Sequence, residues 1–135
     1  HVLAAPLIKE ANLETISTGY MLIDGGQTTA VQYMSNTMPI PSNKPEIAAA
    51  TALAGQMLGM QLIYMDAGSG AHQSVPLSMI KDVKQEINIP LIIGGGIKDA
   101  KSVTACCKAG ADVIVVGNLF EEKPEMVRAL ADAMV

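Results

Sequence analysis

Carboxylate, amide and glycine groups follow three successive apolar runs of this chain. Asp66 ends one run and precedes a Gly-Ser-Gly loop, three glycines from Gly94 to Gly96 end the next, and Gly117 and Asn118 end the last. A carboxylate can accept a proton from a substrate hydroxyl. Glycine N–H groups and an asparagine amide can hold an anion such as phosphate. These residues therefore predict a site for a phosphorylated compound that carries a hydroxyl.

Most of these residues also have a plainer structural interpretation. The triple glycine can be an ordinary turn from a strand into a helix, and Asp66 can cap the turn that follows it. Tyr64 could hydrogen-bond a polyol or belong to the core, and Lys98 could pair with a phosphate or be merely solvated. Asp24, beside two glycines, is interpreted as a turn residue, and His72 as an exposed loop histidine.

Alternating apolar and helical patterns predict strands joined by helices. The predicted strands are residues 16–23, 61–66, 89–93 and 112–116. The predicted helices are residues 45–58, 75–87 with Ser74 as the cap, 99–109, and 124 to the carboxyl end. The last strand is nearly all β-branched, which is typical of a parallel strand buried on both faces. Because crossovers between such strands are right-handed, one parallel sheet is expected.

Two segments carry weaker patterns. Residues 1–12, interrupted by Pro6, suit a short helix or an irregular connection better than a strand. Residues 27–43 form a long excursion rich in Thr, Ser, Asn and Pro, with 31–34 as a short strand. Long loops inside compact domains are often functional.

Two parallel architectures fit this pattern, a doubly wound open sheet and part of a (β/α)8 barrel. Three consecutive glycine-rich strand ends favour the barrel, whose phosphate site is frequently built from the last two strand-to-helix loops. We therefore expect residues 1–135 to be one domain, the carboxyl-terminal half of a TIM-type barrel of about 200 to 250 residues. The amino-terminal half is expected to be missing, since the chain starts at His1 within an element already under way. Four strands leave open edges that need a partner half, in cis or by dimerisation, so a homo-oligomer is expected.

Composition narrows the function classes. The chain has 135 residues, is half hydrophobic, and carries a net charge of −4 without a block of like charges, which argues against nucleic acid as a partner. The adjacent Cys106 and Cys107 are interpreted as thiols in a reducing compartment. No apolar run reaches the roughly 18 residues of a membrane span, so a cytoplasmic location is expected.

Several longer motifs resemble one enzyme family. They are residues 64–71 (YMDAGSGA), 93–98 (IGGGIK), 109–112 (AGAD) and 117–118, together with the Tyr20 strand and the prolines of residues 39–45. They resemble the geranylgeranylglyceryl phosphate synthase family, which includes the bacterial heptaprenylglyceryl phosphate synthases. The resemblance covers nearly the whole chain, and residues 64–71 are far more specific than a glycine cluster.

The resemblance implies a (β/α)8 barrel and a phosphoglycerol geranylgeranyltransferase-type activity. Such a prenyltransferase joins a polyprenyl diphosphate, geranylgeranyl or longer, to the 3-hydroxyl of sn-glycerol 1-phosphate, with Mg²⁺ on the diphosphate, and makes ether phospholipids. The residues implied to hold the glycerol are Tyr64, Met65, Asp66, Ala67, Gly68, Ser69 and Gly70, and those implied to hold its phosphate are Gly95, Gly96, Gly117 and Asn118. The lipid substrate would also allow peripheral contact with a membrane.

This chain departs from the family in two ways. Asp66 stands where the family usually has glutamate, the presumed base, so its shorter side chain changes the distance to the substrate. The family's metal-binding aspartate belongs to the first half of the barrel, so the Mg²⁺ ligands are expected in the missing half. The 135 residues alone are therefore expected to be inactive. The alternatives are another phosphate-binding barrel isomerase or synthase, and a non-catalytic half-barrel that binds phosphate or serves in assembly.

Overall fold

Four parallel strands form the centre of the computed structural model, which describes residues 2–134. The strands are β1 (Thr18–Leu22), β2 (Leu62–Asp66), β3 (Leu91–Gly94) and β4 (Val113–Val115), and they pair in this order. The helices are α1 (Ala5–Glu10), α2 (Ala30–Ser35), α3 (Pro45–Met57), α4 (Leu77–Glu86), α5 (Ala100–Ala109), α6 (Asn118–Glu122) and α7 (Met126–Asp132). The predicted parallel α/β sheet is confirmed.

The two faces of the sheet differ in burial. One face packs against the helices, and its side chains are almost fully buried, namely Met21, Ile63, Met65, Leu91 and Ile93. The alternate residues point to the other face, which is partly open. There the register aligns Tyr20 with Tyr64, and Tyr64 with Ile92. Asp66 also lies on this face, at its carboxyl end.

Local sequence explains two of the helices that cover the sheet. Asp99 caps α5 by accepting a hydrogen bond from the Ser102 N–H at 2.7 Å, and Gly110 ends it in a left-handed conformation with φ of 117°, as such caps require. The alanines of α3 let this helix approach closely, since Ala48 and Ala52 are completely buried. Both helices lie where the sequence predicted them.

The segment after β1 differs from the prediction. Residues 31–34 are part of helix α2 rather than a strand, because Thr29 caps a helical turn there. The outer edge of β1 is instead approached by Ile40, which exchanges backbone hydrogen bonds with Leu22 and Asp24. The residue that pairs beside the end of β1 is therefore Ile40 rather than any residue of 31–34.

Three other predictions, for the second half of the chain, were wrong in detail: the cap of α4, the start of the final helix and the burial of β4. Helix α4 begins at Leu77, and Ser74 makes no capping bond, since Pro76 with ψ of 135° occupies the cap position. The final helix starts at Met126, and the short α6 before it was not predicted. Strand β4 is not buried on both faces: Val113 and Val115 are 43% and 41% exposed, because they lie on the open face of the sheet.

Near the amino end, the alternative of a short helix is the correct one. Helix α1 covers Ala5–Glu10 with proline in its first turn, and none of its residues is buried. It therefore adds nothing to the core that supports the strands.

Candidate functional site

A cavity of about 510 Å³ opens at the carboxyl ends of β2, β3 and β4. This is the size range of small-molecule sites, and the end of a parallel sheet at which ligands of α/β proteins bind. Its lining combines a strand-end carboxylate, two glycine loops and two lysines. The residues are Tyr64, Asp66, Ser69, Gly70, Ala71, Gly95, Gly96, Ile97, Lys98, Val115, Val116, Gly117, Asn118, Leu119, Glu122 and Lys123.

Asp66 is the buried charge of this cavity, with only 8% of its surface exposed. Its Oδ1 accepts a hydrogen bond from the Gly68 N–H at 2.7 Å, and its Oδ2 accepts one from the Tyr20 hydroxyl. A carboxylate oxygen can accept two hydrogen bonds. Each oxygen of Asp66 thus retains one acceptor position for a ligand hydroxyl.

Two tyrosines flank this carboxylate on the open face of the sheet. The rings of Tyr20 and Tyr64 meet edge to face, with centroids 5.1 Å apart and planes at 80°. Burial raises the pKa of the Tyr20 phenol above its ordinary value, and its hydrogen bond to Asp66 raises it further. Burial and then the charge of Asp66 also raise the pKa of Tyr64. Both phenols therefore stay protonated at neutral pH; the Tyr20 hydroxyl donates to Asp66, and the Tyr64 hydroxyl can donate to a ligand.

The glycines of the cavity let neighbouring loops approach each other. A Cβ at Gly95 would lie 2.6 Å from the Gly68 nitrogen, and one at Gly96 would lie 2.8 Å from the Gln73 carbonyl oxygen. Both residues have φ between 69° and 81°, which L side chains rarely adopt. Gly68 in turn lies directly against the Thr29 side chain. The strand ends are glycine-rich because three loops interlock there.

Gly117 has a different environment from the other glycines. A Cβ at this position would meet no atom within 4 Å, and its φ of −106° lies outside the left-handed region. The residue after it, Asn118, accepts a hydrogen bond from the Ser69 hydroxyl at 2.7 Å. This bond joins the loop after β2 to the start of α6 across the cavity.

Donors suited to an anion lie along the same wall. Within residues 2–134, no backbone or side-chain group accepts a hydrogen bond from the N–H groups of Gly95, Gly96 or Asn118. Lys98 and Lys123 add positive charge to the cavity lining. Backbone N–H groups and lysines together provide what phosphate oxygens require.

The structure brings most of the candidate site residues together. Those that line the cavity are Tyr64, Asp66, Ser69, Gly70, Gly95, Gly96, Gly117 and Asn118. Met65 and Ala67 do not, because they are buried on the helix-covered side at 0% and 1% exposure. Gly68 contributes through its N–H to Asp66 rather than through the lining.

Two residues outside the cavity match their plainer interpretation. Asp24 accepts a hydrogen bond from the Gly26 N–H at 2.9 Å, as a turn aspartate does. His72 is exposed and absent from the cavity lining.

Sequence reasoning missed the roles of Tyr20 and Lys123. Tyr20 contacts Asp66 across 46 residues of sequence, and the signal for it was its position, which in β1 matches that of Tyr64 in β2. Lys123 lines the cavity only because α6 begins at Asn118. No local pattern indicated that helix.

The described residues do not by themselves provide a metal centre. Between residues 2 and 134, no three His, Cys, Asp or Glu side chains lie close enough together to hold an ion. The acids that line the cavity are Asp66 and Glu122. Over the same residues, no helix is both long and apolar enough to cross a membrane.

The fold and the cavity define an α/β protein of the (β/α)8-barrel type with a polar site at its strand ends. Comparison with known proteins gives the family: the chain belongs to the PcrB family, which matches residues 1–134. It is 54% identical over 134 residues to a geranylgeranylglyceryl phosphate synthase of Chitinophaga pinensis. That match covers 99% of this chain and 53% of the relative, so the chain spans about half the length of the curated relatives it matches.

Two solved structures of geranylgeranylglyceryl phosphate synthases confirm the barrel-type fold. One is the (S)-3-O-geranylgeranylglyceryl phosphate synthase of Thermoplasma acidophilum in complex with its substrate sn-glycerol-1-phosphate. It superposes with a TM-score of 0.89 at 35% identity, over 98% of this chain and 53% of that one. The wild-type enzyme of Thermoplasma volcanium superposes with a TM-score of 0.86 at 36% identity, over 98% and 52%.

Proposed function

We propose that this chain carries the glycerol-phosphate site of a prenyltransferase. The reaction joins a polyprenyl diphosphate, geranylgeranyl or longer, to the 3-hydroxyl of sn-glycerol 1-phosphate and releases diphosphate. The observation that carries this proposal is one cavity that holds both a buried carboxylate, Asp66, and the N–H groups of two loops, which have no acceptor among residues 2–134. The likeness to a structure described as a complex with sn-glycerol-1-phosphate supports the same ligand.

The phosphate would bind at the wall built from Gly95, Gly96, Gly117 and Asn118. Its oxygens would accept hydrogen bonds from N–H groups that have no acceptor among residues 2–134, and Lys98 and Lys123 would offset its charge. Binding there would leave the three-carbon part to extend toward β2. Ser69 and Tyr64 lie along that path as hydrogen-bonding groups.

Asp66 would act on the 3-hydroxyl as the general base. The hydroxyl oxygen forms the new bond to the first prenyl carbon, the bond from that carbon to diphosphate breaks, and the leaving diphosphate keeps the electron pair. The hydroxyl proton passes to the Asp66 carboxylate, which has an acceptor position free on each oxygen. Holding both reactants in line would supply much of the remaining acceleration.

Mg²⁺ is the metal implied by the resemblance, and it would neutralise charge on the diphosphate. Residues 2–134 offer no ligand cluster for it, so no step of the proposed reaction is derived through the metal. We further propose that the 135 residues alone transfer no prenyl group. A cytoplasmic location, a homo-oligomeric assembly and peripheral contact with a membrane belong to the same proposal.

Calorimetric titration of the chain tests the ligand. We expect sn-glycerol 1-phosphate to bind more tightly than its mirror image, sn-glycerol 3-phosphate, because three fixed groups would meet it: the glycine wall at the phosphate, Asp66 at the 3-hydroxyl, and Ser69 or Tyr64 at the central hydroxyl. The Asp66→Ala variant should keep its affinity for inorganic phosphate and lose this preference. Equal affinity for both enantiomers and for inorganic phosphate would instead favour a phosphate site without the proposed chemistry.

A chimaera tests the reaction. In it, this chain replaces the segment that it matches in the Chitinophaga pinensis relative, which restores the full length of that protein. We expect the chimaera to transfer a prenyl group to sn-glycerol 1-phosphate, and the Asp66→Ala chimaera to lose about 10²-fold or more in kcat. An Asp66→Ala chimaera as active as its parent would refute the assignment of the base.

A further inference from the structure

Tyr20 contacts the proposed base from outside the cavity. Its hydroxyl donates to Oδ2 of Asp66, although Tyr20 lies on β1 and is not among the residues that line the cavity. The contacts that connect this tyrosine to the cavity are those with Asp66 and with the Tyr64 ring. In this arrangement the Tyr20 hydroxyl can orient the Asp66 carboxylate.

The orientation is fixed at both oxygens of the carboxylate. The Gly68 N–H holds Oδ1 at 2.7 Å, and the Tyr20 hydroxyl holds Oδ2. Without the tyrosine, one hydrogen bond would remain, and the carboxylate could rotate about the bond that joins it to the side chain. Two donors on different oxygens remove that freedom.

The position of Tyr20 is itself determined by the sheet. The register pairs it with Tyr64, two residues before Asp66 on the neighbouring strand, and the two rings pack edge to face at 5.1 Å. The Tyr64 ring in turn lies directly over Gly94 of β3, where any side chain would collide with it. Three adjacent strands thus place one hydroxyl on the carboxylate.

We infer that Tyr20 is a positioning residue, which holds the Asp66 carboxylate so that its free acceptor positions face the 3-hydroxyl of the bound glycerol phosphate. This inference rests on the proposed function. Because the hydroxyl and the phosphate lie at opposite ends of the ligand, Tyr20 governs recognition of the hydroxyl and leaves recognition of the phosphate unchanged.

The test compares three ligands on the chain itself by calorimetry. They are sn-glycerol 1-phosphate, the 3-deoxy analogue of the same configuration (1,2-propanediol 1-phosphate), and inorganic phosphate. A hydrogen bond to a charged group corresponds to about a tenfold preference for the ligand with the hydroxyl. We expect the parent chain to show this preference and Tyr20→Phe to reduce it to about twofold or less, with affinity for inorganic phosphate unchanged.

Tyr33→Phe is the matched control. It removes the same hydroxyl from an exposed position on α2, 81% accessible, and should retain the full preference. A full preference in Tyr20→Phe would overturn the inference while leaving the proposed ligand intact. Reduced affinity of Tyr20→Phe for inorganic phosphate would also overturn it, because the tyrosine would then support the whole site.

Two results with the parent chain bear on the function on which this inference rests. If the parent chain binds neither organic ligand, the proposed function fails and the inference fails with it. If it binds both equally, the phosphate site stands, but the role of Asp66 at the hydroxyl and the inference about Tyr20 are both overturned. In the chimaera, a lower kcat for Tyr20→Phe with unchanged KM for the phosphate ligand, and no further loss when Tyr20→Phe is added to Asp66→Ala, gives an independent check.

Discussion

The Ser69 hydroxyl donates a 2.7 Å hydrogen bond to the side-chain carbonyl of Asn118, across the mouth of the cavity. With its oxygen occupied, the Asn118 amide has its NH₂ group available as a donor to a ligand. The NH₂ nitrogen lies beside Gly70, 4.0 Å from where a Cβ on that residue would stand. The bond therefore both connects two loops and sets which end of the amide an anion meets.

Removal of the Ser69 hydroxyl should weaken anion binding without unfolding the chain. In Ser69→Ala the Asn118 amide can rotate, so affinity for inorganic phosphate should fall by about fivefold, the size of one hydrogen bond. Ser35→Ala is a matched control, since its hydroxyl also makes a 2.7 Å bond, to the Val31 carbonyl on α2. Equal affinities in Ser69→Ala and the parent chain would show that the bridge has no part in binding.

Alanine at two glycines should separate loop packing from ligand contact. At Gly96 the substitution places a Cβ 2.8 Å from the Gln73 carbonyl oxygen at a φ of 69°, so the free energy of unfolding should fall by about 2 kcal/mol or more. At Gly117 a Cβ meets no protein atom within 4 Å, so stability should change by less than about 0.5 kcal/mol.

Phosphate affinity should respond differently from stability when Gly117 is replaced. Gly117→Ala should remain as stable as the parent chain and yet lose about tenfold in phosphate affinity, because its methyl group enters the space next to the proposed anion. Urea denaturation and calorimetry on both variants measure the two quantities. Unchanged phosphate affinity in Gly117→Ala would place the anion away from this loop.

Much of the fold followed from local sequence, because its signals act over a few residues. Asp99 begins α5 as its side-chain cap, and Gly110 ends it in a left-handed conformation. Both residue types are typical of helix ends, so the sequence alone predicted these limits. The burial of β4 did not follow, since Val113 and Val115 have the side chains of a core strand. Their exposure depends on what faces the open side of the sheet, which the strand's own sequence does not encode.

In the candidate site, too, some features were predictable from the sequence and others were not. Asp66 and the glycines end neighbouring parallel strands, so topology alone predicts that they converge. The contact from Tyr20 to Asp66 depends on the register of β1 against β2, and a shift of one residue would turn Tyr20 to the other face of the sheet. Register arises from the packing of the whole sheet, which is why the sequence alone did not reveal this contact.

The Asp66 charge should be visible in the alkaline titration of the tyrosines. Burial raises the pKa of Tyr20 and of Tyr64, and the Asp66 carboxylate raises both further. In Asp66→Asn the pKa of each phenol should therefore move down toward its ordinary value. Tyrosinate absorbance near 295 nm, recorded against pH for both proteins, measures the shift.

The same shifts predict how stability depends on pH. A raised pKa means that the folded state binds protons more tightly than the unfolded state, so this stabilisation is complete below about pH 10, the ordinary tyrosine value, and declines as the pH rises above it. The decline should be shallower in Asp66→Asn. Identical titration curves for the two proteins would contradict the contact between Asp66 and the phenols.

An ion pair between Lys84 and Asp112 lies at the amino ends of the strands. It should make the free energy of unfolding decrease at acidic pH. The two groups are 2.6 Å apart, and Asp112 also accepts the Leu91 N–H at 2.7 Å. Burial alone would raise the pKa of Asp112, but the Lys84 ammonium and the Leu91 N–H outweigh it and lower the pKa below its ordinary value. This stabilisation is therefore present at neutral pH and is lost as the pH falls below about 4.

Lys84→Met tests the ion pair, with Lys81→Met on the same helix as the control. Because both partners are partly exposed, at 33% and 41%, solvent screening limits the loss at pH 7 to about 1 kcal/mol or less. In urea denaturation the difference from the parent chain should shrink as the pH is lowered below about 4, because Asp112 takes up its proton below its ordinary pKa, and phosphate affinity should not change. A difference that stays constant as the pH is lowered would instead reflect packing, since the Lys84 methylene groups lie directly over Gly110.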